Sequence, residues 1–372
     1  MIRITDRKQC CGCSACADTC PHKAITMKVD AMGFRYPSVD EALCIECGIC
    51  EKVCAFHRPD SGAACSCEAI RFPELMDRSQ SGGLAYALMR KAISEGYVVY
   101  GAAMDEDFTV RHRRADSLEA LAPLRLSKYV QSDMIGIPGQ VLADLREGRK
   151  ALFTGTPCQC AGIASAAGNL RGNLLLADII CHGVPSPAVW KGFLESSERR
   201  KGRKICSVLF RNPSLGWHEH KESLYFGEEE KISDEYTFFF YRHLMLRPSC
   251  TACPFASLNR ASDITMADCW GVEDMLPGFA DDNRGCSMML INTVAGREFT
   301  TAFPDKCLRS PIEIPSEKFQ PNLYRPSSAH KCAESFENTY IRRGYDAVLQ
   351  RFGRQSRAYR IEEFIKKIKR HI

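Results

Sequence analysis

The chain has 372 residues, 21 of them cysteine, with 50 Lys+Arg against 45 Asp+Glu for a formal charge of +5. This length suggests two or three domains with ample core, and 45% hydrophobic with 26% charged residues excludes a disordered chain. The first nine residues are charged where a secretory signal needs an apolar core, and no run reaches the ~18 apolar residues of a membrane span. A cytoplasmic protein is therefore expected, in which many cysteines mean metal more often than disulfides. Much of the positive charge lies in the tail, where Arg357, Arg360, Lys366, Lys367, Lys369 and Arg370 face only Glu362 and Glu363. No nucleic-acid surface is implied for the rest.

Two copies of one pattern open the chain. Cys10-x-x-Cys13-x-x-Cys16-x-x-x-Cys20-Pro21 is repeated as Cys44-x-x-Cys47-x-x-Cys50-x-x-x-Cys54. Three close cysteines form a tight loop around one iron–sulfur cubane, and the fourth is carried toward the neighbouring one. On that scheme Cys10, Cys13, Cys16 and Cys54 hold one 4Fe–4S cluster, and Cys44, Cys47, Cys50 and Cys20 hold the other. Zinc also takes thiolate tetrads, but rarely in this doubled, crossed spacing. Cys11, inside the first run, is read as a bystander. The pair means electron transfer without saying between what.

Residues 1–58 thus read as a bacterial-type two-cluster ferredoxin domain and 59–75 as linker. Alternating helices and β-rich runs follow, an α/β pattern expected to form a mixed or parallel sheet. Ser81, Gly82 and Gly83 precede a helix whose N-terminus could take a phosphate, although a plain cap and turn is the commoner use. A strand at 97–104 follows. Ala151–Thr154 reads as a strand ending in Gly155-Thr-Pro-Cys158-Gln, with a helix from about Ala161, and Leu174–Ile180 as a strand ending in Cys181-His182-Gly183. Parallel strands would bring Cys158 and Cys181 to one sheet edge, where open α/β folds bind ligands. Cys250-x-x-Cys253 further on could complete a tetrad. A third iron–sulfur cluster, a structural zinc and a redox dithiol all fit that spacing, and the clusters upstream favour the first. The body is taken as 76–335. Residues 336–372 are read as a helical region whose apolar stripe, Ile361, Phe364, Ile365, Ile368 and Ile372, packs on the core.

The tandem motifs followed by Ser81-Gly-Gly, Ser127-Lys-Tyr-Val-Gln131-Ser, Thr154-Gly-Thr-Pro-Cys158-Gln, Cys181-His-Gly-Val-Pro-Ser-Pro, Phe210-Arg-Asn-Pro-Ser-Leu-Gly-Trp217, Arg247-Pro-Ser-Cys-x-x-Cys253 and Ser262-Asp-Ile-Thr-Met-Ala-Asp-Cys-Trp-Gly271 resemble the coenzyme F420 hydrogenase/dehydrogenase beta-subunit family. The resemblance runs from about residue 5 to 271. It implies a flavin, usually FAD, in the α/β domain beside a third 4Fe–4S cluster, carried over to Cys158, Cys181, Cys250 and Cys253. It also implies flavin contacts at Ser81, Gly82 and Gly83 and at Ser127, Lys128, Tyr129 and Gln131. Lys128 would lie near the flavin phosphates or its reduced N1, unless it is a solvated surface lysine. Cys160 and Cys269 stand where an apolar residue and an aromatic would be expected.

The function expected is an iron–sulfur flavoprotein oxidoreductase. Electrons pass between the clusters and FAD, which exchanges a hydride equivalent with a small organic substrate or an F420-like coenzyme. His182 is a candidate proton donor, although a histidine in a turn is more often structural. A ferredoxin or another redox protein would be the partner, and an oligomer is left open. The alternative is a non-catalytic electron-transfer subunit serving a separate catalytic partner.

Overall fold

The computed structural model describes residues 1–56, 62–63, 66–280, 282–357 and 359–361, with only the backbone of 62, 63 and 78. At the N-terminus, strands Ile25–Val29 and Arg35–Val39 pair antiparallel, Ile25 opposite Val39. Two one-turn helices, Ala15–Asp18 and Ile49–Lys52, lie inside the two cysteine runs. Each is entered through a left-handed residue, Ser14 (φ 63°) and Gly48 (φ 73°), at the same place in its run. The sequence repeat is therefore a backbone repeat. The tight entry turns Cys16 and Cys50 inward, where they join Ile2 and Ile25 in an apolar bed. This is the doubled arrangement that the cysteine spacing predicts.

The body is built on an eight-stranded mixed sheet. In spatial order its strands are Leu308–Pro311, Ser66–Arg71, Ser287–Ile291, Ile264–Asp268, Leu174–Ile179, Ala151–Gly155, Val98–Met104 and Val110–Ala115. The four from Ile264–Asp268 to Val98–Met104 run parallel, and antiparallel strands flank them. Leu152 and Leu175 look toward the helix Leu84–Ser94. Phe153 and Leu176 look the other way, toward helices Ile137–Arg146 and Pro157–Ala167. With both faces covered, the central strands are continuously apolar, which is why their sequences read so clearly.

Three expectations need correction or fall outside what is described. The stretch 59–75 is not all linker, because Ser66–Arg71 pairs in register with Ser287–Ile291 and Leu308–Pro311. Its apolar residues are few, so its strand character comes from its neighbours. The helix expected from Ala161 begins at Pro157, because Thr156 and Gln159 form a capping box and Pro157 fits the first turn. Cys158 is therefore helical. At the other end the helix Ala333–Phe352 breaks at Gly344 (φ 75°). Of the apolar tail stripe only Ile361 is described, and it is exposed; Phe364, Ile365, Ile368 and Ile372 lie outside the described residues.

A second, three-stranded sheet (Ser207–Phe210, Glu222–Phe226, Glu229–Ser233) packs with helices Pro187–Lys201 and Glu235–Tyr241 on an aromatic core that includes Trp190, Phe193, Phe210, Tyr236, Phe239 and Phe336. Among the described residues no helix is long and apolar enough to cross a membrane.

One buried base makes the fold pH-sensitive. His112, on the edge strand, stacks on Phe153 with ring centroids 5.0 Å apart. Its Nε2–H donates to Thr154 O (3.0 Å), which leaves Nδ1 to accept from the Ser132 hydroxyl (2.9 Å). Burial lowers its pKa from 6.5 to about 4. The unfolded chain then binds the extra proton first, so stability is lost as pH falls from about 6.5 toward 4. The full effect is about 3 kcal/mol. Urea unfolding of His112→Gln should show a smaller loss than the parent between pH 7 and pH 4.5. Parallel losses in the two proteins would show that His112 is not responsible.

Candidate functional site: three cysteine sets and an aromatic edge

The structure brings the first predicted set together. The Cys16 thiol is pushed up chiefly by burial, then by Cys13, Cys10 and Cys54. The second set, Cys20, Cys44, Cys47 and Cys50, lines one shallow pocket together with Ile25 and Val39. Cys20 comes from the first run, so the crossed pairing is visible in space. The Ile2 N–H points at Cys50 Sγ (3.3 Å), the kind of donor that tunes a thiolate-bound cluster. Among the described residues no three His, Cys, Asp or Glu side chains stand close enough to share a single metal ion. A cubane spreads its four thiolates over four irons and needs no such closeness. The donors are all cysteine sulfur, in an apolar bed, and the residues fit the cluster.

A further four cysteines meet at the sheet edge. Cys158 lies in the first turn of the helix after Ala151–Gly155, Cys181 follows Leu174–Ile179, and Cys250 and Cys253 belong to the turn Pro248–Ala252 and its end. The Cys181 thiol is pushed up by burial first, then by Cys250, Cys158 and Cys253. Sulfur here also meets donors: Gly183 N–H to Cys181 Sγ and Val184 N–H to Cys250 Sγ, both 3.3 Å. Gly183 has φ +112°, and a Cβ there would meet Leu246 at 2.9 Å and Cys250 Cβ at 3.2 Å. Cys160 points elsewhere, toward Ala177 O in the sheet core. Cys269 shares a hydrogen bond with Cys286, with Cys67 nearby.

Cys11, read as a bystander, sits between two sets. It is fully buried and stays protonated, hydrogen-bonded to Cys13 and Cys158. Its S–H is the largest influence drawing the Cys158 thiol down, to about 7, and it lowers Cys13 as well. Gly162, on the Cys158 helix, would put a Cβ 2.7 Å from Cys13 Sγ, so the first set packs directly on that helix. A doubled Cys10-Cys11 in the sequence was the only sign of this junction.

The expected flavin residues divide. Gly82 is pressed against backbone, since a Cβ there would lie 2.4 Å from Ile70 O and 2.5 Å from Ser287 N. Ser81 Oγ donates to Cys286 O (2.8 Å), and Gly83 (φ 86°) begins the helix. Lys128 is not a solvated surface residue: Nζ donates to Ala102 O (2.7 Å) and Arg125 O (2.6 Å), and burial lowers its pKa to about 7. Ser127 N–H donates to Gln80 Oε1, and Tyr129 stacks on Phe240. Gln131 reaches the cysteine junction instead, with Nε2 donating to Cys11 O (2.9 Å). His182 is largely buried, which lowers its pKa, and His243 adds to the effect.

Near His182 lies a group whose role the sequence leaves unassigned. Arg211 is buried and pairs with Asp268 (2.6 Å), while Nη2 donates to Trp217 O (2.8 Å) and Nε has no partner among the described residues. Trp217 Nε1 donates to the same Asp268 (2.8 Å), and Trp270 stacks on Trp217 with centroids 4.7 Å apart. The His220 ring contacts Tyr241 OH (2.7 Å), and burial lowers its pKa to about 4. An opening of about 70 Å³ adjoins them, lined by Ser79, Gln80, Arg211, Trp217 and Arg284 among others. The Phe210–Trp217 and Ser262–Gly271 stretches carried the signal, but strand and loop pattern do not show which side chains converge.

The fold and its doubled cysteine sets define an iron–sulfur electron-transfer protein, with a dicluster ferredoxin module fused to a mixed α/β body. A family model for a 4Fe-4S dicluster domain matches residues 9–57, and one for the C terminus of the coenzyme F420 hydrogenase/dehydrogenase beta subunit matches residues 148–309. The two matches in one chain support a likeness to the coenzyme F420 hydrogenase/dehydrogenase beta-subunit family over these residues. Among solved structures, a chain of the F420-reducing [NiFe] hydrogenase complex from Methanosarcina barkeri is similar at 19% identity and a TM-score of 0.48. That alignment covers 78% of this chain and 91% of the other, and is too distant to bear on function. No curated protein matches the chain.

Proposed function

We propose that this protein is an iron–sulfur flavoprotein oxidoreductase, with three 4Fe–4S clusters leading to an FAD at the open edge of the large sheet. The observation that carries the reading is the convergence of Cys158, Cys181, Cys250 and Cys253 beside the Cys11–Cys13 junction. It offers a third tetrad close to the first and continues the line toward the Arg211–Trp217 opening. Electrons would enter near Cys47, which is exposed and flanked by exposed Leu43 and Ile45, from a ferredoxin or another redox protein. The proposed division is a ferredoxin module over 1–58 and an α/β domain that starts near residue 66 rather than 76 and ends near 335, with a helical region beyond.

Bound FAD would supply hydride exchange with an organic substrate or F420-like coenzyme, and the conversion between one-electron and two-electron steps. The chain's part is to hold and shield. The buried Arg211 Nε is a free donor for an anionic or carbonyl group. Ser127–Gln131 spans from Gln80, in the opening, to Cys11. Lys128, held by two carbonyls, would bring a positive charge to that strip when protonated. His182, neutral by burial, would hold a proton beside Arg211. The match to the beta-subunit family supports equally a non-catalytic electron-transfer subunit.

Anaerobic purification and flavin extraction separate the two. About one FAD per chain is expected, with Arg211→Met lowering it at least tenfold at unchanged iron. A flavin-free protein with full iron would leave the electron-transfer subunit as the reading.

A further inference from the structure

We propose that Arg247 is a positioning residue that sets two reduction potentials at once, by placing one unneutralised positive charge between the Cys10/Cys13/Cys16/Cys54 cluster and the Cys158/Cys181/Cys250/Cys253 tetrad. The second half of this inference rests on the third-tetrad reading above; the first half does not.

Arg247 is the largest fully buried side chain, 1% exposed. Its Nε donates to Cys10 O (2.8 Å), Nη1 to Gln131 Oε1 (2.9 Å) and Nη2 to Arg35 O (2.7 Å), with Nη2 also 3.7 Å from Cys10 Sγ. The guanidinium lies over Tyr36, 4.3 Å from its ring centre. Gly12 (φ +74°) leaves it room, since a Cβ there would stand 2.9 Å from Nη1. All these partners are neutral or only weakly acidic. Among the described residues no carboxylate pairs with it.

A buried charge without a counter-charge is costly, and natural proteins pair such groups. Here the counter-charge available is that of the cysteines, which bind metal as thiolates. The side chain reaches the first set, and the backbone of the same residue is tied to the second. Its backbone N–H donates to Val184 O (2.9 Å), and Val184 N–H donates to Cys250 Sγ, so the residue is anchored in the Cys181–Cys250 loops while its head lies on Cys10. Its charge lies 3.7 Å from Cys10 Sγ in one set, and in the other its backbone is one residue's hydrogen bonding away from Cys250 Sγ, through Val184. Reduction adds negative charge to a cluster, and a fixed positive charge in a low-dielectric site stabilises the reduced form. Arg247 therefore raises both potentials. Unlike an exposed lysine, it is scarcely screened by salt.

The test is an anaerobic redox titration followed by electron paramagnetic resonance, with iron per chain, on the parent, Arg247→Gln and Arg247→Lys. Arg247→Gln should keep full iron and shift the reduced-to-oxidised ratio of the Cys10 cluster at least tenfold toward oxidised at a fixed potential, about 59 mV for one electron. Arg247→Lys should recover most of that shift, because it restores charge and not the planar fork. Unmoved potentials in Arg247→Gln at full iron overturn the proposal. Should Arg247→Gln lose iron, Gln131→Glu decides, since it sets a carboxylate against the guanidinium: the same downward shift supports the proposal, and none overturns it. A parent count of about eight irons removes the third tetrad and leaves Arg247 to be judged on the Cys10 cluster alone. About twelve irons with unmoved potentials removes Arg247's role and leaves the tetrad standing.

Discussion

Cys250→Ser protein, purified without oxygen, should carry about eight irons per chain against about twelve for the parent. Cys250 has no other evident work. Its thiol is pushed up to about 12, by burial first and with Cys158 adding to it, so the free thiol would stay protonated and inert in this pocket. It faces a backbone N–H from Val184 that serine, with a shorter reach, would meet poorly. Cys160→Ser is the control, since that sulfur faces the sheet core rather than the tetrad. It should lose stability and not one cluster's worth of iron. Full iron in Cys250→Ser would remove the residue from the ligand set.

Gly82→Ala should be among the most damaging single methyl groups in the described residues. The added carbon would stand 2.4 Å from Ile70 O and 2.5 Å from Ser287 N, and both atoms are backbone of adjacent strands in the large sheet. Neither can rotate away, so the strands or the following helix must move. The cost is about 3 kcal/mol, the upper end of overpacking, which lowers the thermal midpoint by roughly 4 °C in a chain of this size. Gly96→Ala meets open space and carries only the strain of its left-handed backbone (φ +78°). It should lose about 1 kcal/mol. Equal losses at the two positions would mean that the close approach at Gly82 is not what the glycine serves.

Gly82 also shows how far the sequence could be read. A Ser-Gly-Gly ahead of a helix fits an anion turn and a packing turn equally, and only the position of Ile70 and Ser287, far along the chain, supplies the packing reason. The doubled cysteine runs were readable because every ligand lies within a few residues of the next. Strands Val98–Met104 and Ala151–Gly155 were readable because burial on both faces made them continuously apolar. Ser66–Arg71 was not, since its pairing is set by residues more than two hundred positions away. Cys158 was read at the end of a strand with the helix only from about Ala161, whereas Pro157 is favoured at the first turn of a helix and the helix starts there. Arg211, Trp217 and Trp270 come from separate loops, and only the fold shows that they meet at Asp268.

The account as a whole is a line of three clusters ending at a flavin. It is tested most directly by counting the electrons that the anaerobic protein accepts in a reductive titration. Three one-electron clusters and one two-electron flavin predict about five per chain. About two per chain, the capacity of the ferredoxin module alone, would contradict it.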